Sequence, residues 1–380
     1  MQAEIVERIA DVPAEAWDAL DPSANPFVRH AFLEALESSN CVGGDTGWIP
    51  RHLVLRDDGG RLIGAVPQYL KLHSWGEFIF DWSWAQSYAR AGLEYYPKML
   101  SAVPFTPVTG PRLLLGQDAD PVLRRALARL LIEAARQVGA SGAHVNFTTD
   151  ADQSALEQAG FLRRHDCRFQ WSNRGYRDFD DFLDGFRSEK RKKARRERRR
   201  VEEAGVTFRT LQGEDIDAAL WTTIFGFSEH TFLRHGNAHY LSAGFLDVVA
   251  RRMPESIMVK LAERRGTPIA AAIFFQGGGR LYGRYWGAAE NVDSLHFEAC
   301  YYQGIDYCIE RGIDTFDPGT QGEHKLARGF EPTLTCSAHW LAHDGFGTAI
   351  GRYLEREREA VDGYIADAAA HLPFQRGIPA

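Results

Sequence analysis

The pattern of apolar and polar residues predicts one series of elements that occurs twice along the chain. Residues 52–70 consist of an apolar run, a charged turn that ends at glycine, and a run of small and apolar residues, which is typical of a β-hairpin. Residues 258–275 have the same order. The pairs that match at a constant offset are Leu55 and Leu261, Asp57 and Glu263, Gly60 and Gly266, Ile63 and Ile269, and Val66 and Ala272.

Each predicted hairpin is followed by an amphipathic helix, a strand, a Gly-Phe pair and a further strand. In the first half these elements are residues 121–139, 143–147, 160–161 and 167–172. In the second half they are residues 297–311, 313–316, 329–330 and 335–341. Because the whole ordered set recurs, we expect an α+β fold of two similar units, each with a mixed sheet flanked by helices.

Length and composition agree with more than one domain. The chain has 380 residues, of which 44% are hydrophobic and 12% aromatic, enough to fill the cores of a globular protein. The expected divisions are a first domain at residues 1–178, a basic connecting helix at residues 179–204, and a second domain with a C-terminal helix at residues 205–380.

Cysteine usage and the absence of a targeting pattern indicate the compartment. The five cysteines are scattered and form no C-x-x-C pair, which argues against a disulfide framework or a thiolate metal site. The N-terminus has no basic-then-apolar signal pattern. No apolar run approaches the ~20 residues needed to cross a bilayer. We therefore expect a cytoplasmic protein without a membrane span.

Positive charge is concentrated in one segment of an acidic chain. The net charge is −7, yet residues 187–200 contain ten Lys or Arg and two Glu. Only Ala194 in this segment is expected to be buried. One interpretation is a solvated connecting helix with weak Glu–Arg pairs. The other is phosphate binding through Arg191, Lys192 and Arg195, to a nucleic-acid backbone or to a nucleotide-diphosphate group, because ten like charges repel one another without a counter-anion.

The segment 316–330 is the strongest candidate for catalysis. It follows a predicted strand, turns at Pro318-Gly319, and contains five ionisable side chains before the second Gly-Phe pair: Asp317, Glu323, His324, Lys325 and Arg328. Glu and His can move protons, and Lys and Arg can hold an anion or a developing negative charge. The alternative is a solvated loop that starts a helix.

Two groups of aromatic residues offer further candidates for substrate binding. Asp81 lies between Phe80, Trp82 and Trp84, which is compatible with a half-buried strand whose Asp faces water or with a cleft where the acid meets a substrate amine. Tyr285 lies with Tyr282 and Trp286 on a β-like run, where core packing is expected for at least two of the three.

Other catalytic and metal-binding patterns are not found in the sequence. His230, His235 and His239 are spaced five and four residues apart without a carboxylate cluster, so no metal site is expected. There is no Gly-x-Ser-x-Gly, Walker or His-Glu-x-x-His motif, so hydrolase, NTPase and zinc-protease functions have no support.

The duplicated series resembles a known fold. A charged hairpin, a helix, a strand and a Gly-Phe before the last strand resemble the GNAT acyltransferase unit, and two units in tandem resemble the FemABX aminoacyl transferases. The chain is most similar to a bacterial branch of predicted N-acyltransferases related to peptidoglycan biosynthesis. The segments that carry the resemblance are Phe80–Trp84, Tyr95–Lys98, Pro104–Pro107 with Gly110–Arg112, Phe186–Arg200 and Pro318–Phe330.

The resemblance implies an enzyme that transfers an acyl or aminoacyl group to the amine of a small molecule or peptide. We expect Glu323 or His324 to handle the proton, with Asp317 in reserve, and Lys325 and Arg328 to hold a phosphate or a carboxylate. Asp81, Trp82, Trp84 and Tyr285 would contact substrate. The alternatives are an acyl-CoA-dependent acetyltransferase and a non-catalytic module that binds an anionic cell-wall precursor.

The acyl donor is left open between aminoacyl-tRNA and acyl-CoA, and no tightly bound cofactor is expected. GNAT enzymes that use acetyl-CoA usually carry an Arg/Gln-x-x-Gly-x-Gly/Ala turn that holds the pyrophosphate at a helix N-terminus. Neither half contains this turn, and Gly110-Pro111-Arg112 to Gly116 is a loose match. The resemblance to FemABX enzymes permits tRNA or a nucleotide-linked precursor as a partner of residues 187–200.

Overall fold

A computed structural model describes residues 1–117, 120–320 and 322–375 of the chain. Its strands are β1 (Gln2–Val6), β2 (Trp48–Pro50), β3 (His52–Arg56), β4 (Leu62–Val66), β5 (Tyr69–Lys71), β6 (Lys98–Ser101), β7 (Gly142–Thr148), β8 (Leu162–Ser172), β9 (Val206–Gln212), β10 (Ile257–Arg264), β11 (Thr267–Gly277), β12 (Arg280–Ala288), β13 (Thr315–Asp317) and β14 (Glu331–Leu341).

The helices are α1 (Ala14–Asp18), α2 (His30–Ser38), α3 (Trp82–Arg90), α4 (Pro121–Gln137), α5 (Asp150–Gln158), α6 (Phe179–Asp184), α7 (Ser188–Glu203), α8 (Ala218–Arg234), α9 (Ala243–Arg252), α10 (Leu295–Phe297), α11 (Gln303–Arg311) and α12 (Asp344–Ala370). A π-helical turn, Glu298–Tyr302, joins α10 to α11. Single 3₁₀ turns lie at Ile9–Asp11, Gly44–Thr46, Gly213–Asp215 and Pro254–Ser256, and a longer 3₁₀ helix at Glu323–Arg328. None of these helices is both long and apolar enough to cross a membrane.

The chain forms two compact units, and their limits differ from the expected domains. The first unit contains residues 1–167 and 334–363, and the second contains residues 168–333 and 364–380. The predicted connecting helix is therefore part of the second unit, while most of α12 belongs to the first. The reason lies in strand pairing, since the end of β8 pairs with β13, whereas the end of β14 pairs with β7. The Gly-Phe pairs lead into strands that begin in one unit and end in the other.

The first unit has two sheets. In one, β1, β3 and β4 are antiparallel neighbours in that order. In the other, β2 pairs with β5, β5 pairs with β6, and β6 runs parallel to β7. Isolated bridges from Ala65 to Leu114 and from Gly110 to Thr148 connect the segment before α4 to both sheets. Helix α4 covers them with Leu127, Leu131 and Ala135, in a core built with β3, β4 and β7.

The second unit has one sheet in the order β9, β10, β11, β12, β13, with the end of β8 beyond β13. Its pairs are antiparallel except β12 and β13, which are parallel and joined through the helix over residues 295–311. Aromatic residues of that helix, including Tyr301 and Tyr302, pack with Phe274, Phe316 and Phe330 in the core.

The repeated series predicted from the sequence is present in both units. Each predicted hairpin forms, as β3–β4 and as β10–β11, and a preceding antiparallel strand lies beside each. Each unit then has a parallel strand pair with a helix between the strands. These helices are followed by left-handed glycines, Gly139 and Gly312, as the sequence predicts. The order of elements is therefore duplicated.

The basic helix α7 has more buried residues than the sequence predicts. Ala194 is buried in α7, as expected, but Glu197 and Val201 are buried as well. These three residues lie on one helical face, and Glu197 accepts two hydrogen bonds from Arg328. Helix α7 therefore packs on its own unit through an acidic residue and is not solvated on all sides.

Candidate active site in the second unit

A cavity of about 210 Å³ opens in the second unit where two parallel strands part. The pairing of β12 with β13 ends at Tyr282 and Asp317, and the next residues of both strands form the walls. The carboxyl ends of parallel strands are where α/β sheets commonly hold ligands. The lining residues are Ala272, Ile273 and Phe274 from β11, Gly283, Arg284, Tyr285 and Trp286 from β12, His296, Cys300 and Tyr301 from the helix, and Pro318, Gly319, Thr320 and His324 from the loop.

A β-bulge places an arginine at this cavity. Ile273 pairs with Tyr285 and Phe274 pairs with Gly283, which leaves Arg284 as an extra residue in β12. A bulge bends its strand and changes the direction of a side chain, and bulges are frequent beside active sites. Arg284 therefore brings positive charge to the cavity wall.

The His324 imidazole and the Tyr301 hydroxyl contact each other at the cavity. His324 Nε2 lies 2.8 Å from the Tyr301 hydroxyl. His324 is an exposed residue of the loop, but the partial burial of its ring, with Lys325 and Arg328, lowers its pKa and favours the neutral imidazole at pH 7. Burial raises the pKa of Tyr301, which keeps its hydroxyl protonated. A neutral imidazole in contact with a phenol can accept and return a proton.

The loop geometry that presents His324 depends on a glycine. Gly322 has φ of +137°, and a Cβ at this position would lie 2.2 Å from the His324 ring. A larger residue would displace the imidazole from the Tyr301 hydroxyl. Gln321, which precedes this glycine in the predicted loop, lies outside the described residues.

The second histidine of the cavity, His296, has a strongly lowered pKa. Burial, with the positive charges near His324, lowers the pKa of His296 to about 4. Cys300 is buried beside it, and burial raises the pKa of its thiol, so it is not a thiolate nucleophile. The cavity therefore offers neutral hydrogen-bonding groups together with the charge of Arg284.

The structure gives Lys325 and Arg328 positions that differ from the prediction. Lys325 is buried, and its Nζ donates to the carbonyl oxygens of Gly319 and Thr320 at 2.7 and 2.8 Å. Burial lowers its pKa to about 8, with Arg168 and Arg284 adding to the effect and Asp317 opposing it. Arg328 is also buried and donates to both carboxylate oxygens of Glu197. Neither lines the cavity; each holds its wall in place.

The two acidic residues proposed from the sequence also lie outside the cavity lining. Glu323 is exposed and accepts a hydrogen bond from the Tyr364 hydroxyl at 3.2 Å. Asp317 accepts from the backbone N–H of Gly319, which fixes the turn after β13. Of the predicted catalytic residues, His324 alone is a lining residue, and of the predicted contact residues in this unit, Tyr285 is one.

Asp81, Trp82 and Trp84 belong to the first unit, and the predicted strand at this position is a helix. Asp81 precedes α3 and is buried, with its carboxylate bound by the ammonium group of Lys98 and by the Tyr95 hydroxyl. Burial by itself would raise the pKa of Asp81, but Lys98 holds this pKa well below its usual range. An acid engaged in this way is sealed from water and from a substrate amine.

The comparisons with known proteins agree with this architecture. A family model described as FemAB-like, peptidoglycan biosynthesis/recognition, matches residues 8–376. The chain belongs to the FemAB-like family.

Solved structures confirm the predicted fold of two GNAT-like units. The match to FemX covers 92% of this chain and 100% of the FemX chain, with 13% sequence identity and a TM-score of 0.54. The C-terminal domain of a putative lysylphosphatidylglycerol synthetase from Agrobacterium fabrum covers 89% and 94%, with 11% identity and a TM-score of 0.54. L-PGS from Bacillus licheniformis covers 89% and 98%, with 12% identity and a TM-score of 0.50. A search of the curated proteins gave no match.

Membership of the FemAB-like family supports the predicted class of function, the transfer of acyl or aminoacyl groups in a role related to peptidoglycan. In this FemAB-like chain, no group of three or more His, Cys, Asp or Glu side chains within the described residues is placed to hold a metal ion.

The cations of α7 in the FemAB-like chain differ in their pairing, and Arg198 and Arg200 are among those with acidic partners. Arg191 donates to Asp184, Arg195 donates to Asp180, and Lys193 lies near Glu197. In contrast, Lys192, Arg196 and Arg199 are exposed and, among the residues that the structure describes, make no ion pair. These three lie four and three residues apart on the face opposite Ala194. Of the predicted phosphate ligands, only Lys192 belongs to this unpaired face.

Sequence reasoning missed several polar residues of the cavity, among them Arg284, Tyr301 and His296. Arg284 follows a glycine inside a strand, a pattern that often marks a bulge, and this signal could have identified it. Tyr301 lies in the run Cys300-Tyr301-Tyr302, where apolar spacing assigns all three residues to the core. Only the fold brings its hydroxyl to His324.

Proposed function

We propose that the protein is an N-acyltransferase that uses the cavity between β12 and β13 to transfer an aminoacyl group to the amine of a cell-wall peptide or its precursor. The observation that carries the proposal is the contact between the His324 imidazole and the Tyr301 hydroxyl at the open end of a parallel strand pair. Family membership supports the reaction class.

In the proposed reaction, the acceptor nitrogen attacks the acyl carbon and forms the new N–C bond. Its proton passes to the Tyr301 hydroxyl while Tyr301 gives its own proton to neutral His324. The tetrahedral oxyanion is stabilised by the positive charge of Arg284 at the cavity wall. Collapse breaks the bond from the acyl carbon to the leaving oxygen, which receives the proton back by the same route.

The starts of the helices favour an aminoacyl ester as the donor over acyl-CoA. A CoA pyrophosphate is usually held by free backbone N–H groups at a helix N-terminus. Asp293 lies just before α10 and Asp120 caps α4, where its side chain accepts from Val122 N–H. The Asp120 carboxylate would repel a pyrophosphate at the start of α4, whereas Asp293 is ion-paired with Arg200. The absence of the glycine-rich turn from both halves of the sequence agrees with this donor.

The unpaired face of α7 favours a nucleic acid as the carrier of that ester. Lys192 and Arg199 are seven residues apart, which is about 10 Å along a helix. Phosphates follow one strand of a duplex at about 3.4 Å intervals along its axis, so a row of cations this long suits several consecutive phosphates. A diphosphate group would meet only one or two of the three cations. We therefore assign tRNA to the face formed by Lys192, Arg196 and Arg199.

The test combines the protein with total tRNA charged with amino acids and a synthetic cell-wall stem peptide that has a free amine. Mass spectrometry should detect the peptide with one added aminoacyl residue. Tyr301→Phe should lower the rate by about 10²-fold, as expected for loss of a proton-transfer group. Glu323→Gln, an exposed change in the same loop, is the matched control and should act like the unmodified protein.

Two outcomes would contradict the proposal. If product forms from acetyl-CoA but not from charged tRNA, the donor is acyl-CoA and not aminoacyl-tRNA. Peptide binding without any product from either donor would make the protein a binding module.

A further inference from the structure

The cavity of the second unit carries positive charge without an acidic side chain on its described wall. Arg284 lines the cavity, and Lys325 and Arg328 lie behind the lining residues. None of the described lining residues is an Asp or a Glu. Burial and nearby cations lower the pKa of both histidines of the cavity, His296 and His324. An ammonium group that entered the cavity would meet the same repulsion.

The loop oxygens that could hold an ammonium group have other roles. The carbonyl oxygens of Gly319 and Thr320 accept from Lys325 Nζ at 2.7 and 2.8 Å. The carboxylate of Asp317 accepts from the backbone N–H of Gly319 and lies outside the cavity lining. Glu323 is exposed and also lies outside the lining. The loop therefore surrounds the cavity without giving an incoming cation a counter-charge.

His296 provides an uncharged acceptor at the cavity wall. Its ring centroid lies 5.5 Å from that of Trp286 and 5.4 Å from that of Tyr301. None of the described residues forms a hydrogen bond with its ring nitrogens. In contrast, His324 uses Nε2 for the Tyr301 hydroxyl. A neutral imidazole has one nitrogen that accepts a hydrogen bond, so His296 can receive an N–H group from an uncharged amine.

We propose that the acceptor is the α-amine of a peptide rather than the ε-amine of a lysine side chain, and that His296 accepts one of its two N–H groups. The proposal rests on the proposed acyl transfer and names its acceptor. As the nitrogen attacks the acyl carbon, the other N–H proton passes to the Tyr301 hydroxyl. The proton held by His296 stays on the nitrogen of the new amide.

The two kinds of amine differ in the charge that they bring to the cavity. An unperturbed α-amine has a pKa of about 7.7–8.0, and a lysine ε-amine has a pKa of about 10.4. At pH 7.5 about a third of the α-amine is therefore uncharged, against roughly a thousandth of the ε-amine. An ε-ammonium group needs a nearby carboxylate to hold it and to accept its proton. An α-amine loses its proton to water and enters without that help.

The test is a competition between two isomers of one lysine-containing stem peptide. One isomer is acetylated at the N-terminus and keeps the ε-amine, and the other is acetylated on the lysine and keeps the α-amine. Equal amounts are incubated with the protein and charged tRNA, and fragment masses identify the isomer that gains the aminoacyl residue. At pH 7.5 the α-amine isomer should give at least about tenfold more product.

The same competition at pH 8.5 separates charge from shape. The ratio of α-amine to ε-amine product should fall about fourfold, because the uncharged fraction rises about tenfold for the ε-amine and only about 2.5-fold for the α-amine. Both products form in one tube, so a change in the protein or in the donor with pH affects them equally. A ratio that does not change with pH would overturn the proposal.

Substitutions of His296 test the charge and the acceptor at the wall. His296→Asn and His296→Asp have nearly the same shape and lose the same ring contacts, but only the second adds a negative charge. His296→Asn should keep the preference for the α-amine, whereas His296→Asp should move it toward the ε-amine by about tenfold. His296→Phe, which keeps a ring without an acceptor, should raise the KM of the α-amine isomer about tenfold with a smaller change in kcat.

The remaining outcomes distinguish this proposal from the acyl transfer on which it rests. Product mainly on the ε-amine isomer at pH 7.5 would overturn the proposal and leave the acyl transfer in place. The same ratio in His296→Asn and His296→Asp, or an unchanged KM in His296→Phe, would remove His296 from acceptor binding. No product on either isomer would contradict the acyl transfer itself, and the proposal with it.

Discussion

The cavity of the second unit and the buried cluster of the first both contain ionisable side chains, but in opposite settings. In the cavity, His324, His296 and Arg284 border an open space, and burial, together with nearby cations, lowers the pKa of both histidines. In the cluster, Lys98 binds Glu77 at 2.8 Å and also Asp81, with Lys71 nearby, and all of them are sealed from water. Ionisable side chains therefore border an open cavity in one unit, where we propose proton transfer, and support a loop from within in the other.

The difference shows that burial decides what an ionisable residue can do. Burial raises the pKa of Glu77 to about 7 and lowers that of Lys71 to about 7, so both are poised to lose charge at neutral pH. Groups with shifted pKa values are often taken as functional. In this cluster the described contacts are internal, and the shifted values reflect the cost of a buried ion network.

The largest expected effect concerns the buried cluster. Lys98→Met would leave Glu77 and Asp81 without their shared cation, and removal of one partner from a buried ion pair costs about 3–5 kcal/mol. Urea denaturation should show this loss in the free energy of unfolding. Lys192→Met, an exposed and unpaired lysine, should change it by less than about 0.5 kcal/mol. If Lys98→Met changes the free energy of unfolding only slightly, the buried cluster does not stabilise the first unit.

The second expected effect concerns the cavity. His324→Ala should lower kcat by about 10²-fold, equivalent to about 2.7 kcal/mol in the barrier, while leaving the free energy of unfolding nearly unchanged. His324→Ala should therefore affect catalysis but not stability, whereas Lys98→Met should affect stability. A loss of less than about threefold in kcat would remove His324 from proton transfer.

The third expected effect tests whether pairing rather than charge alone decides the role of a surface cation. Replacing Lys192, Arg196 and Arg199 by Gln should weaken tRNA binding about tenfold at moderate salt and reduce the salt dependence by roughly two to three released counterions. Replacing Arg191, Lys193 and Arg195 removes the same charge from the same helix, but each of these has an acidic neighbour. Affinity measured at several salt concentrations should change much less in this control. Equal losses in both triple variants would make α7 a diffuse basic surface.

The smallest expected effect is the response of the rate to pH. His324 must be neutral to accept a proton, and its pKa lies below the usual 6.5. The rate should therefore be nearly flat from pH 7.5 to 6.5, varying less than about twofold, and should fall only at lower pH as the imidazole is protonated. A profile of kcat against pH at saturating acceptor measures this, because kcat/KM would also report the protonation of the acceptor amine. A fall already centred above pH 6.5 would indicate that another group accepts the proton.

Much of the fold could be predicted because it depends on local signals. Charged turns ending at glycine identified both hairpins, and helical spacing ending at Gly139 and Gly312 identified the two crossover helices. The domain limits were not predictable in this way. The ends of β8 and β14 pair with β13 and β7, partners that are distant in sequence, and no local pattern specifies those pairings.

The candidate site was predicted in part for the same reason. His324 was identified because its neighbours in the sequence are polar and follow a strand. Lys325 and Arg328 share that neighbourhood, but a short 3₁₀ turn directs them inward to the carbonyl oxygens of Gly319 and Thr320 and to Glu197. A run of alternating charges does not reveal which of its members point into the protein.

The sequence by itself determined the duplicated order of elements, the family, and the basic character of α7, because each depends on residues close together in the chain. Only the tertiary structure decided that Tyr301 contacts His324, that a β-bulge places Arg284 at the cavity, and that Asp81 is buried in contact with Lys98 and Tyr95. The physical reason is that pKa and reactivity depend on burial and on neighbours in space, which are set when distant strands pair and exclude water.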